Sequence, residues 1–349
     1  GRVWQDEPAV ALLAWTEGPG MPVPIVCEGG ERDLDVLAKE IFSACDRVAP
    51  RAGDLVLLFP DANGTPALRP LLDRFAPVFG GAWLAGAAAT GVDGRASHGW
   101  AIPSDPGESE LLLGLLIPSA GPTPRVQCAG ATRIASPWLE ISACRSHWID
   151  ALEGEPPVVW IRRQLGLAEI DRIEPHLDRL LVRLAGPGSR PGIGASFAAR
   201  SAARSEDGSQ ADSEPEAFDE LYLSGVDARR GSVSLMGSFA RGDRLALALP
   251  DAAHAREHLR SAVDALPATP LIVQIGCPSR GESLHGDRDI ESAVVADQAA
   301  GRRVLGVIAP FQLGSDPGGI GRLRVHSTVL AALGPQQIEP KISPDDCSI

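Results

Sequence analysis

The chain has 349 residues, of which 44% are hydrophobic and 22% charged, and its formal net charge at pH 7 is -13. This composition is typical of a globular protein with an ample core, and the length suits one large domain or two of ordinary size. The acidic balance argues against a nucleic-acid partner, because phosphate binding needs a basic surface. The sequence has no apolar run of about 18 residues, so we expect no membrane insertion.

The six cysteines are scattered and form no CxxC pair, which argues against zinc-knuckle and thioredoxin-like motifs. A chain of this length without a cysteine framework favours reduced thiols, and we therefore expect a cytoplasmic protein. The first residues contain no apolar signal-peptide region. The many Gly, Pro, Ala and Arg residues are typical of a GC-rich bacterial genome.

The first half predicts a mixed α/β unit. A buried-type strand is expected at 54–59, followed by a turn, a short helix and a small, Gly-rich apolar stretch at 78–89. A β-meander of short strands is then expected at 97–102, 109–117, 125–134 and 139–148. Leucines and isoleucines at helical spacing predict an amphipathic helix at 169–184.

The composition changes beyond residue 186, where Ser, Gly, Pro and acidic residues replace periodic apolar ones. We interpret 187–217 as a flexible linker between two domains, residues 1–186 and 218–335, with 336–349 as a tail. The order strand, turn, helix, small strand, Gly loop and alternating strand occurs on both sides of this linker. The sequence therefore predicts an α/β fold, in the mixed α+β sense, of two related halves with mixed sheets.

The second half carries the strongest local pattern. A strand rich in β-branched residues is expected at 271–275, a helix at 287–300, a strand at 303–309 and an alternating strand at 322–330. The first of these strands ends in Gly276-Cys277-Pro278-Ser279-Arg280-Gly281. A turn that follows a buried strand is where open α/β sheets usually bind ligands.

This ordered set resembles the FIST family, bacterial sensory domains for small ligands that have an N-terminal and a C-terminal part. The family pattern small-Cys-x-x-Arg-Gly is matched at 276–281, Gly-Glu-Ile-Gly-Pro at 311–315, and Leu-His-x-x-Thr at 325–328. The resemblance implies a non-enzymatic sensory or signal-transduction role and a small polar ligand such as an amino acid. A signalling protein is the partner that it implies.

Two positions where the family has Glu are occupied here by Gln312 and Ala87, and the spacing from His326 to Thr328 is one residue shorter. A cationic ligand that needs the glutamate charge would bind differently here, or not at all. We expect four residues to converge on one sheet edge: Cys277, Arg280, His285 and Gln312. The resemblance implies that these four bind the ligand together with Gly281, His326, Thr328, Phe59, Gly80 and Gly81.

Other interpretations stay open. Cys277 is either a reactive thiol beside Arg280 or a small residue packed at a strand end. In the first case the protein would be an enzyme that depends on Cys277. Arg280 either binds an acidic ligand group or bonds sheet-end carbonyls. Haem would need an axial His or Cys, and no flanking motif indicates one, so the cofactor is unknown. A metal site at His254 and His258 lacks a third ligand. A protein–protein interaction scaffold with a degenerate pocket is a further alternative.

Overall fold

The computed structural model describes residues 23–28, 43, 50–60, 81–87, 110–118, 125–168, 172–174, 177, 180–186, 218–235, 239–315 and 321–334. In these residues the strands are β1 (Val23–Glu28), β2 (Leu55–Pro60), β3 (Trp83–Ala87), β4 (Glu110–Ile117), β5 (Val126–Gly130), β6 (Thr132–Ile134), β7 (Leu139–Arg145), β8 (Trp148–Leu152), β9 (Leu181–Ala185), β10 (Asp219–Asp227), β11 (Ser232–Leu235), β12 (Arg244–Pro250), β13 (Leu271–Gly276), β14 (Arg303–Ile308), β15 (Gln312–Ser315), β16 (Gly321–Arg324) and β17 (Ser327–Leu333). The helices are α1 (Pro157–Leu165), α2 (Ala252–Asp264), α3 (Glu282–His285) and α4 (Ile290–Gln298).

The strands form three sheets, which confirms the predicted mixed α/β class. The first has the order β1-β4-β2-β3-β15-β16, and the third has the order β14-β13-β17-β5. The second has the order β6-β12-β7-β8-β11-β10-β9, and β12 also pairs with β9. That extra pairing closes six antiparallel strands into a small barrel, to which β6 is attached.

The first and third sheets contain the same four-strand unit. In the first, β2 and β3 are parallel, and β4 lies antiparallel between β2 and β1. In the third, β13 and β14 are parallel, and β17 lies antiparallel between β13 and β5. Spatial order and strand directions agree throughout, so the first and third sheets share one topology, although β5 precedes the predicted linker. The predicted repeat placed its third strand at 97–102, whereas the counterpart of β17 in the first sheet is β4.

Each sheet combines strands from before and after the predicted linker. β15 and β16 extend the first sheet, β5 completes the third, and the barrel takes β6 to β9 from one side and β10 to β12 from the other. The linker at 187–217 and the tail at 336–349 lie outside the described residues, and the domain boundaries stay predictions. Among the described helices, none is long and apolar enough to cross a membrane.

Apolar faces hold these layers together. The first and third sheets pack face to face through a core that includes Leu57, Ala85, Val273 and Val329. α2 and α4 cover the other face of the third sheet. Asp251 caps α2 by accepting hydrogen bonds from two backbone N–H groups of its first turn. Complete burial of each Leu, Ile or Val contributes roughly 1.5–3 kcal/mol.

Two predicted elements are wrong. The end of the helix expected at 169–184 is strand β9, whose five residues are all buried in the barrel. The single strand expected at 322–330 is two strands, β16 and β17, in different sheets. The chain turns between them at His326, where φ is +51°. A short apolar run fits a buried strand as well as a helix, and only tertiary pairing distinguishes them.

Boundaries shift elsewhere as well. The strand expected at 125–134 divides into β5 in the third sheet and β6 in the second, and the helix expected at 287–300 is reduced to α4. The strand predicted at 97–102 lies outside the described residues. By contrast, β13 and β14 each end within one residue of the expected position.

Candidate functional site

The candidate site lies at the carboxyl end of β13, where β15 and β17 begin. Gly276 ends β13, and Pro278–Arg280 forms a 3-10 turn with the proline at its first position. Proline suits that position because its fixed φ is already helical and its missing N–H is not needed there. The turn directs Cys277 and Arg280 into the protein, where they are 4% and 1% exposed.

Arg280 is bound by protein groups. Its Nε donates to Glu291 Oε1 at 2.6 Å, and its Nη2 lies 2.5 Å from the same oxygen. Its Nη1 donates to the backbone carbonyls of Ala129, at 2.9 Å, and His326, at 3.1 Å. Of the two roles considered for Arg280, these contacts match the structural one, in which its guanidinium bonds backbone carbonyls. Arg280 thereby joins β5, α4 and the corner before β17.

Glu291 also bonds two other predicted site residues, Thr328 and His285. Thr328 Oγ1 donates to its Oε2 at 2.7 Å, and His285 Nε2 lies 3.2 Å from its Oε1. Burial opposes ionisation of this carboxyl, but the charge of Arg280 and the hydrogen bonds from His285, Arg280 and Thr328 outweigh it and lower the pKa of Glu291 to about 2. Arg280, His285 and Thr328 therefore converge on one ionised carboxylate, that of Glu291, which was not among the predicted site residues.

Cys277 lies in a different row of polar groups. Its Sγ is 2.9 Å from Ser279 Oγ and donates to the carbonyl of Pro310 at 3.9 Å. The hydroxyl of Tyr222, the only tyrosine in the sequence, donates to Ser279 Oγ at 3.4 Å. Burial, with smaller contributions from Cys277 and Glu220, raises the pKa of Tyr222 to about 12. The phenol therefore stays protonated at neutral pH.

Gln312 adjoins this row from the first residue of β15. Its Nε2 donates to the carbonyls of Ala309, at 2.7 Å, and Gly276, at 3.2 Å. The side chain is fully buried, and its Oε1 has no hydrogen-bond partner among the described residues. On the sheet, Gln312 pairs in register with Ala87 of β3. Gln312 and Ala87, the two positions that the FIST resemblance aligns with glutamates, are thus direct neighbours.

His326 completes the group from the corner between β16 and β17. Its ring centroid lies 5.8 Å from that of Tyr222, and its Nδ1 has no hydrogen-bond partner among the described residues. Burial, aided by the charge of Arg280 and only partly opposed by nearby carboxylates, lowers the pKa of His326 to about 4. We call Cys277, Ser279, Tyr222, Gln312 and His326 the β13-end cluster.

A second buried network joins the barrel to the third sheet. Arg183 Nε donates to Glu220 Oε1 at 3.0 Å, and Thr132 Oγ1 donates to the same oxygen. Ser327 Oγ donates to Glu220 Oε2 at 3.5 Å.

His258 Nδ1 accepts the N–H of Gly130 at 3.1 Å, and burial lowers the pKa of His258 to about 4, with the charges of His254 and Arg280 adding to the effect.

The remaining predicted residues lie apart from the cluster or between its parts. Phe59 is half-buried near the end of β2 and packs on the core between the first and third sheets. Gly81, with φ of +84°, precedes β3 at the opposite end from Ala87. Gly281 links the 3-10 turn to α3. Gly80 lies outside the described residues.

Sequence reasoning did not find Tyr222, Glu220 or Arg183. They enter from β9 and β10, and their partners are distant in the sequence: Tyr222 bonds Ser279, 57 positions later, and Glu220 bonds Ser327, 107 positions later. Arg183 bonds Glu220, 37 positions later. No local motif marks them. Two weak signals were available in the sequence. One is that the chain has a single tyrosine, and the other is a charged residue inside an apolar run, such as Arg183 in Leu-Val-Arg-Leu-Ala.

The cluster consists of side chains that can donate and accept hydrogen bonds. Among the described contacts, Cys277 meets Ser279 and a carbonyl, whereas His285 is bonded to Glu291 and His326 lies beside Tyr222. A Cys-His nucleophile pair is therefore not formed by these contacts. No group of three or more metal-ligating side chains occurs in the part of the chain that the structure describes.

No family model matches the chain, and no curated protein sequence matches it. Among solved structures, a crystal structure of cyanuric acid hydrolase from A. caulinodans is 15% identical in sequence, with a TM-score of 0.22. The match covers 89% of this chain and 99% of that chain. A likeness at this TM-score carries no argument about fold or function.

Proposed function

We propose that this protein binds a small molecule at the β13-end cluster and serves as a cytoplasmic sensory or signal-transduction protein of FIST type. The observation that carries the proposal is the fully buried amide of Gln312, whose Oε1 has no partner among the described residues. An unpaired buried acceptor costs roughly 1–3 kcal/mol. Natural proteins retain such groups where a ligand, water or ion supplies the missing bond.

The strand register supports the same location. Gln312 and Ala87, which replace two glutamates of the FIST pattern, are adjacent on β15 and β3. The side chain of Gln312 reaches the carbonyl of Gly276, the residue just before Cys277. Motifs that are far apart in the sequence thus meet at one end of β13, as a shared ligand site requires.

A strained backbone at His326 is a second support. Its φ of +51° lies in the left-handed region, which costs most residues roughly 1–2 kcal/mol. Such conformations persist where the surroundings hold them, and they cluster at ligand sites. Arg280 and Glu291 provide that support, since the backbone carbonyl of His326 accepts a hydrogen bond from the buried guanidinium.

One observation favours the interaction-scaffold alternative. Among the described strands, β14 lies at the edge of the third sheet, and Val304, Val307 and Ile308 are 36–42% exposed on it. Exposed apolar edges are places where another strand can pair. If the protein is a scaffold alone, Val307→Lys abolishes its association with a signalling partner while ligand screening finds nothing.

The proposed function is tested by thermal unfolding against a metabolite panel that includes all amino acids and hemin. A ligand at about a hundredfold over its Kd is expected to stabilise the wild type by roughly 2.7 kcal/mol. The stabilisation should be lost in Gln312→Met and retained in Gln164→Met, a matched change on α1. A panel without a single stabilising compound would contradict the proposal.

A further inference from the structure

The orientation of the Gln312 amide is set by its surroundings. Nε2 faces the carbonyl oxygens of Gly276 and Ala309, at 3.2 and 2.7 Å. Carbonyl oxygens only accept hydrogen bonds, so the reversed amide would place three acceptors together. The side chain therefore uses its NH₂ group on the protein and leaves Oε1 as an acceptor.

The neighbouring groups add little donor capacity. The Tyr222 hydroxyl donates to Ser279, and the Cys277 thiol donates to Pro310. The remaining hydrogen bond, between Ser279 Oγ and Cys277 Sγ, uses one donor from within that pair. No donor of the described residues, His326 included, forms a hydrogen bond to Oε1, so a bound molecule at Gln312 has to bring its own donor.

The charges around Gln312 favour an uncharged donor over a cationic one. The two carboxylates bonded within the adjoining networks, Glu291 and Glu220, are each paired with a buried arginine, Arg280 and Arg183. Gln312 itself is neutral. An ammonium group at Oε1 would lose its hydration without gaining an opposite charge from these groups, and that loss is costly in a buried place. An uncharged N–H group has a much smaller hydration loss.

We infer that the ligand meets Oε1 of Gln312 with an uncharged N–H donor, as a carboxamide supplies, and that Gln312 selects against ammonium and amidinium groups. This inference rests on the proposed function and names the ligand class of the same site. Because Gln312 is fully buried, entry of the ligand requires local opening at the end of β13.

The test uses two pairs of probes that match in shape and differ in charge, acetamide against acetamidinium and benzamide against benzamidinium. Their Kd values are measured on the full chain by ligand-observed NMR at neutral pH. The wild type is expected to bind each amide at least about tenfold more tightly than its cationic partner, a difference of about 1.4 kcal/mol. Equal binding, or a preference for the cations, overturns the inference.

Gln312→Glu is expected to reverse the preference, because it supplies a negative charge and removes the NH₂ group that bonds the two carbonyls. Gln164→Glu makes the same change on α1 and should leave the ratio unaltered. Since Gln312→Glu can disturb folding, Gln312→Met is measured alongside, and it should weaken amide binding by at least about tenfold. Unchanged amide affinity in Gln312→Met overturns the inference.

These outcomes separate the two claims. If neither amide binds, or if the cations bind better, the inference on ligand class is wrong. The proposed ligand-binding function is judged independently by the metabolite panel, where any stabilising compound that depends on Gln312 sustains it.

Discussion

At the residue scale, the buried ion pair of Arg280 and Glu291 is the centre of the described side-chain bonds around β13. Arg280 is 1% exposed, and its removal would leave the buried Glu291 without the charge that favours its ionised form. We expect Arg280→Ala to lower the free energy of unfolding by roughly 3–5 kcal/mol. Arg280→Ala therefore tests stability and is unsuitable as a binding variant.

Urea unfolding of Arg280→Ala and Arg288→Ala measures this effect. Arg288 lies eight positions further along, and its only described ion pair, with Glu282, is 3.7 Å long and solvent-exposed. Arg288→Ala should change stability by at most about 0.5 kcal/mol. Comparable losses in the two variants would show that the Arg280 pair has no special role.

The buried histidines predict a pH dependence. The pKa of both His258 and His326 is lowered to about 4, from an ordinary value near 6.5. Between those values the unfolded chain binds more protons than the folded one, so stability falls as the pH is lowered from about 6.5 to about 4. Each histidine contributes up to roughly 3 kcal/mol to this loss.

Unfolding in urea at pH 7.5 and pH 5 checks the sign and the origin. The wild type should be less stable at pH 5, and His258→Gln should lose part of that difference. Glu291 contributes little between pH 7.5 and pH 5, because its carboxyl is still largely ionised in the unfolded chain above the ordinary pKa of 4.5. Its share of the stability is lost below that value, toward the folded pKa of about 2. A wild type equally stable at both pH values would contradict the buried, neutral state of these histidines.

At the element scale, the corner at His326 explains why one predicted strand is two. Leu323 and Val325 alternate with polar residues up to the corner, and neither Gly nor Pro marks it, so the sequence pattern gives no clear sign of the break. The backbone φ of +51° suits Asn or Gly much better than a β-branched residue. We expect His326→Val to be less stable than His326→Asn by roughly 1–2 kcal/mol, as measured by thermal unfolding. Equal stabilities would place the strain elsewhere.

The repeated four-strand unit supplies a matched pair of glycines. Gly86 and Gly306 are each opposite the fourth paired residue of the parallel neighbour strand, Leu58 and Gln274. A Cβ at Gly86 would lie 2.0 Å from the carbonyl oxygen of Leu58, whereas at Gly306 the nearest contact is 4.0 Å away. The equivalent positions therefore differ in available space.

We expect Gly86→Ala to destabilise the protein by about 2 kcal/mol or more, because β2 and β3 must separate. Gly306→Ala should change stability by at most about 0.5 kcal/mol. Thermal unfolding of the two variants measures both effects under identical conditions. Similar melting temperatures would argue against the close parallel pairing of β2 and β3.

At the scale of the whole molecule, the sequence predicted the parts that are locally encoded. β-branched and apolar runs with turn residues after them marked β2, β13 and β14, and the repeat in their order indicated related halves. The barrel was not predicted, because its closure depends on the pairing of β12 with β9, in which Ala185 pairs with Arg244 and Leu181 with Ala248. Local periodicity carries no information on such pairings.

The candidate site, too, was predictable only where local motifs mark its residues. Arg280, His285 and Thr328, three of the predicted residues, meet at Glu291, which the sequence did not mark as a site residue. Gln312 was singled out by its place in a motif, but its neighbour Ala87 and its orphan oxygen emerge only from the fold. Tyr222 comes from another sheet and has no sequence signal.

The central claim is that a small molecule occupies the carboxyl end of β13. The most direct measurement is a crystal structure with the most strongly stabilising compound of the metabolite panel. We predict an N–H group of that compound within about 3 Å of Gln312 Oε1, beside Cys277 and His326. A compound bound elsewhere, with Oε1 still unpaired, would contradict the account.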